Sequence, residues 1–188
     1  MTSFTAYTIQ AAPEASQPLL QSAKDAYSFV PNLLGTMAEA PALLEGYMAL
    51  ASIFDKTNLS ETERQIILMT NNRLNGCNYC MAAHTSLSQM AGVKTEIIEA
   101  LRNNTPIVDE KLEALRTFAA VINESRGWPT EAQVNTFIDA GYTQQSVLEV
   151  ILGTSLKVMS NYTNHIAETE VDKAFAANAW SADSCVAA

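Results

Sequence analysis

Apolar residues recur every three to four positions along most of the chain, the spacing that lays an apolar stripe on one face of a helix. One stripe runs from Leu43 through Leu44, Tyr47, Met48 and Ala51 to Phe54, and Pro41 opens it with its backbone already set for a first helical turn. An earlier helix is predicted over about residues 16–28, stopping before Val30-Pro31 because the residue ahead of a proline avoids the helical region. Ser60 followed by Glu63 reads as a capping box that starts a helix carrying Ile66, Ile67, Met69 and Leu74 and ending at Asn75-Gly76. A helix holding two cysteines then reaches Ala91-Gly92, with a short one from Thr95 to Leu101 and a long one from Asp109 to Arg126. Gly127-Trp128-Pro129 breaks the pattern, and Thr130 with Gln133 makes a second capping box for a helix to Ala140-Gly141. The last long pattern runs from Thr143 to about His165, followed by a weaker segment from Val171 to Trp180 and a frayed tail. No period-two alternation bounded by hairpin signals occurs, so the chain reads as all-α, a single helical domain of about eight helices over residues 1–188.

One stretch carries chemistry. Cys77, Cys80 and His84 fall within roughly 60° of one another on a helix at ~100° per residue. A thiol attacks as its thiolate, and the unpaired N–H groups of a first helical turn favour that anion, so a helix beginning after Asn75-Gly76 activates both cysteines without a neighbouring lysine. His84, one turn past Cys80, has an ordinary pKa of about 6.5 that suits proton transfer in either direction. The second thiol traps the oxidised form of the first as a disulfide.

Composition narrows the partners. Eleven basic and twenty acidic residues among 188 give a net charge of −9, which repels nucleic acid and anionic lipid. No leader pattern opens the sequence and no apolar run approaches the ~20 residues needed to cross a bilayer, so a soluble, cytoplasmic protein is expected. In that compartment a Cys-x-x-Cys pair is more often catalytic or metal-binding than a structural staple.

Leu59-Ser60-x-x-Glu63-Arg64-Gln65-Ile66-Ile67, with Asn75-Gly76-Cys77-x-Tyr79-Cys80-x-Ala82-Ala83-His84-Thr85, resembles the core of the carboxymuconolactone decarboxylase and alkylhydroperoxidase D (AhpD-like) family. Val30-Pro31-Asn32-Leu33-Leu34-Gly35, Pro41-Ala42-Leu43-Leu44-Glu45 and Asn161-Tyr162-Thr163-Asn164-His165 are similar to its peroxidase-related branch, so the likeness spans about residues 28–170. The resemblance implies an all-α oligomer, a trimer or hexamer, that reduces hydroperoxides with a cysteine pair, an external thiol reductant and no cofactor. It implies Cys80 as the peroxide-attacking sulfur, Cys77 as the resolving one and His84 as the motif histidine. Two positions depart from the pattern: the proton-relay glutamate of the family falls on Gln65, and a histidine found between the cysteines in some members is Tyr79. An amide orients a water or an imidazole but does not ionise, so Glu61, one turn before Gln65, and His165 become candidates for the proton path.

Rival readings are specific. Cys77, Cys80, His84 and His165 together would make the ligand set of a structural zinc, although one helix aims its side chains poorly at a tetrahedral centre; no metal is expected. A lactone decarboxylase needs acid–base groups and no reactive thiol pair, and a non-enzymatic redox sensor would change its assembly on oxidation. Cys185 reads as an exposed free tail thiol without a role, Tyr79 as packing against a subunit neighbour in preference to gating the cysteines, and Trp128 and Trp180 as apolar area buried at a helix end and near the terminus.

Overall fold

The computed structural model describes residues 3–182, so Cys185 lies outside the described residues. Among them are nine α-helices, two short 3-10 turns and no strand. Pro18 sits in the first turn of α1 (Gln17–Tyr27), which ends at Ser28 in the left-handed region. α2 (Asn32–Met37) has no counterpart in the sequence reading, because six residues are too few to show a period and Pro31, which ends the preceding pattern, also stands as the N-cap of the new helix. α3 (Pro41–Phe54) and α4 (Glu61–Leu74) follow, and the Ser60–Glu63 capping box at the head of α4 is fully formed. Gly76 at φ +66° makes the turn that separates α4 from α5 (Asn78–Met90).

α6 (Thr95–Asn103), α7 (Glu110–Glu124) and α8 (Glu131–Asp139) complete the middle of the chain. The capping residues Asp109 and Thr130 accept from the third backbone N–H of α7 and α8. α9 (Gln144–Ala167) is the longest helix, and the weak pattern that follows resolves as a 3-10 turn over Lys173–Asn178.

Two apolar clusters result. The larger joins α4 to α6, α7, α8 and α9 through Ile66, Ile67, Leu115 and Phe118, with Phe137 stacked between Phe118 and Tyr142. The smaller joins the N-terminal helices to α5 through Leu20, Leu33, Leu34, Leu44 and Ala82, and it contains both cysteines. Gly153 lets α9 touch the first cluster: a Cβ there would stand 2.7 Å from Ile67 and 2.8 Å from Phe54.

A C-terminal strap closes over α5. Tyr79 donates its hydroxyl to Asp172 at 2.6 Å, and the Asn32 N–H donates to the same carboxylate. Further along, Asn178 donates to Ser86 and Gln89, Trp180 donates its indole N–H to the Arg102 carbonyl, and the Ala182 N–H reaches Asn78 Oδ1. Trp180 is half-buried, but Trp128 is 85% exposed, against the expectation of burial. It follows the left-handed Gly127, and its backbone N–H is tied to Ser125, which leaves the ring outside the core.

Candidate active site

Cys77 is the N-cap of α5, its sulfur accepting from the Cys80 N–H at 3.5 Å, and this puts Cys80 in the first helical turn. The two thiols stand 3.4 Å apart and are not bonded. Cys77 has no exposed surface and Cys80 has 2%. From α9, the Asn164 amide donates to Cys80 Sγ at 3.1 Å and approaches Cys77 Sγ at 3.6 Å.

The environment splits the pair. Burial alone would raise the Cys80 thiol, but a hydrogen bond from Cys77, the Lys157 ammonium, and donors on Ser160 and Asn161 outweigh it, so Cys80 lies well below the ordinary thiol value. Cys77 is pushed the other way, first by donating to the Cys80 sulfur, then by burial and by the negative charge on Cys80. The sequence reading activated both cysteines and needed no lysine; the structure activates Cys80 alone and sets a lysine beside it.

His84 stands between two partners. Its Nδ1 lies 2.9 Å from Gln65 Oε1, and its Nε2 lies 2.9 Å from Lys157 Nζ. An ammonium only donates, so Nε2 carries the lone pair and Nδ1 the hydrogen. Burial, then the Lys157 charge, holds His84 well below its usual value, and the ring is neutral. Gln65 is oriented in turn: its Nε2 donates to Glu61 Oε1 at 2.8 Å, while its Oε1 also accepts from Ser88. The other oxygen of Glu61 meets Arg64 at 2.6 Å, near the protein surface. A continuous row of hydrogen bonds therefore runs from Lys157 through His84 and Gln65 to Glu61.

Cys80, His84 and Lys157 line one cavity of about 70 Å³. Its remaining wall is apolar and aromatic, built by Tyr27, Leu33, Leu34, Tyr47, Tyr79 and Phe175. Tyr79 packs edge-on against Phe175 while its hydroxyl serves the strap, and burial first, the Asp172 bond second, raise its pKa.

His165 does not join this group. It is exposed and stacks on Tyr162, because a step of about 100° from Asn164 turns it off the buried face of α9. Lys157, Asn164, Ser160 and Asn161 were not singled out from the sequence as site residues. Their signal is present as a polar row at positions 157, 160, 161 and 164 on one face of the helix, all buried. The four-ligand zinc reading loses two supports, since His165 is remote and both nitrogens of His84 are engaged. Among the described residues no group of three or more His, Cys, Asp or Glu is placed to hold a metal ion. No described helix is long and apolar enough to cross a membrane.

Comparison with known proteins adds to this geometry. No curated protein matches the sequence. The fold is similar to that of the alkylhydroperoxidase AhpD core of an uncharacterized peroxidase-related protein from Ralstonia eutropha JMP134, with TM-score 0.82 at 20% identity, covering 92% of this chain and 93% of that one. It is also similar to an uncharacterized peroxidase-related protein from Silicibacter sp. TM1040, with TM-score 0.78 at 19% identity and 93% and 95% coverage. The debrominase Bmp8, solved as a variant in complex with 2,3,4-tribromopyrrole, has TM-score 0.78 at 18% identity and 95% and 96% coverage. By sequence, residues 40–121 match the model described as the Carboxymuconolactone decarboxylase family, a segment that holds Gln65, Cys77, Cys80 and His84. That segment is similar to the carboxymuconolactone decarboxylase family, and the fold of the whole chain is similar to that of the AhpD-like, peroxidase-related proteins.

Proposed function

We propose that this protein is a thiol-dependent hydroperoxide reductase. One observation carries the reading: a buried cysteine pair 3.4 Å apart, of which only Cys80 is held toward its anion, opening on an apolar cavity. The Cys80 thiolate attacks the terminal peroxide oxygen of ROOH, forming an S–O bond as the O–O bond breaks and releasing RO⁻. Cys77–SH then condenses with the sulfenic acid, forming the disulfide and water. Two equivalents of an external thiol reduce the pair and leave as their own disulfide. The balance is ROOH + 2 R′SH → ROH + H₂O + R′SSR′, with no cofactor taking part. Gln65 and Glu61 act by holding His84, and Tyr79 by shaping the wall.

The same proposal takes the protein to act as a homo-oligomer. Leu148, Ile151, Val158, Tyr162 and Ile166 are all exposed and share one face of α9, an apolar row suited to a second copy. Light scattering giving a monomer mass in both reduced and oxidised protein would remove that part of the reading.

Turnover of tert-butyl hydroperoxide with dithiothreitol tests the chemistry. Cys80→Ser is expected to abolish it with helical content unchanged, and Cys77→Ser to let the sulfenic acid persist and over-oxidise. Full activity in Cys80→Ser would overturn the assignment. Muconolactone conversion without any thiol is expected to be undetectable.

A further inference from the structure

We propose that Lys157 is the acid of this reaction: it keeps the proton that Cys80 gives up and hands it to the departing alkoxide. The inference rests on the hydroperoxide reading and concerns a residue to which nothing above gives a catalytic part.

The alkoxide presents the main chemical difficulty. A thiolate displaces RO⁻ from oxygen readily only when that oxygen is protonated as it leaves, and the cavity is narrow, mostly apolar and aromatic in its wall, with few groups able to supply that proton. Four groups make up the row, and their chemistry and geometry separate them. Gln65 is an amide and does not ionise. His84 is a neutral ring whose only hydrogen points at Gln65 Oε1, away from the cavity, while its lone pair faces Lys157. Glu61 lies beyond Gln65. Lys157 is 1% exposed, lines the same cavity as Cys80, and has hydrogens to spare after donating one to His84.

The proton count closes around this residue. With Cys80 as thiolate and Lys157 as ammonium, attack on ROOH gives Cys80–SOH, and RO⁻ takes a proton from Nζ to leave as ROH and a neutral amine. Condensation of Cys77–SH with Cys80–SOH gives the disulfide and water without touching that amine. When two external thiols later reduce the disulfide, Cys80 is re-formed as a thiol and passes its proton to the waiting amine. Each cycle thus restores the thiolate–ammonium pair from its own reactants. No ionisable residue is needed to reach solvent, and an amide at position 65 then suffices, its task being to fix the His84 ring so that the lone pair holds Nζ in place.

The test is a leaving-group comparison on pre-reduced protein, following single-turnover oxidation of Cys80 by quenched alkylation and mass spectrometry. The substrates are tert-butyl hydroperoxide, which expels a strongly basic alkoxide, and peracetic acid, which expels acetate and needs no acid. Each rate is divided by the rate of Cys80 alkylation with iodoacetamide at the same pH, which removes any change in thiolate population. Lys157→Met is expected to lose about 100-fold or more with tert-butyl hydroperoxide and less than about tenfold with peracetic acid. Lys157→Arg keeps a charge beside the sulfur but is a far weaker acid, and the same split is expected of it. It also carries the test if the Met variant does not fold. Equal losses with both substrates would overturn the assignment and leave Lys157 as a counter-ion only. Wild-type protein inert toward both peroxides would instead bring down the hydroperoxide reading itself.

Discussion

Asn164 shows how much one amide can decide at the residue scale. Its Nδ2 stands 3.1 Å from Cys80 Sγ, where it solvates the sulfur of an almost wholly buried side chain. A hydrogen bond to a charged group contributes about 1.5–3 kcal/mol, so Asn164→Leu is expected to raise the Cys80 pKa by about one to two units. Alkylation of Cys80 across pH reads this directly, and an unchanged midpoint would remove Asn164 from the account. In the unmodified protein, with Cys80 lowered and His84 neutral, the alkylation rate should be level from about pH 7 to 9; an ordinary thiol, with a pKa near 8.5, rises roughly tenfold per unit until then. The sign follows from the acid: a depressed thiol pKa keeps the reactive anion above it and loses it as pH falls through it. A tenfold rise per unit between pH 7 and 8 would mean that Cys80 is not activated. Cys77, Cys80 and His84 were legible from helical spacing, and Gln65, with Glu61 one turn before it, from the family resemblance. Lys157 and Asn164 were not, since they lie 73 and 84 residues away from His84 and Cys80 and meet them only through packing.

At the scale of elements, capping and turn chemistry set where the reactive groups stand. The Ser60–Glu63 box fixes the start of α4 and with it the phase of Gln65; the Gly76 turn fixes the start of α5 and with it the placement of Cys80 in the first turn. Ser60→Ala is expected to cost about 1 kcal/mol, seen as a lower denaturant midpoint with the slope unchanged. α9 contributes the remaining groups, and its seat depends on a missing side chain. Gly153→Ala would force a methyl group against Ile67 and the Phe54 ring, with an expected loss of about 1–3 kcal/mol and a falling hydroperoxide rate as Lys157 and Asn164 shift together. Stability and rate both at wild-type level would show that α9 relaxes without moving its polar face. The helices with strong periods or capping boxes were legible in advance, whereas α2 was hidden by its six-residue length and its proline. Trp128 was misread because apolarity alone does not say whether a loop ring finds a partner.

For the molecule as a whole, the polar machinery sits at the boundary between two apolar clusters, one carried by α4 and α7 and the other by α5 and the N-terminal helices. Lys157, Asn161 and Asn164 bridge that boundary from α9, and the strap holds the outer side through Asp172. Asp172→Ala would leave the Tyr79 O–H and the Asn32 N–H without their acceptor, with an expected loss of about 1–3 kcal/mol and faster amide exchange in the strap and the start of α5.

The complete enclosure of Cys77 has a kinetic meaning of its own. The cavity of about 70 Å³ reaches Cys80 but not Cys77, so on the proposed reading a small oxidant would meet Cys80 directly, while a thiol attacking Cys77 would wait for the protein to breathe. On the proposed hydroperoxide reading, oxidation and repair would run on different clocks: the first would follow peroxide concentration, and the second would reach a ceiling set by breathing however much reductant is added. Under sustained exposure the disulfide form would accumulate and outlast the insult, giving the protein a memory of recent oxidative load.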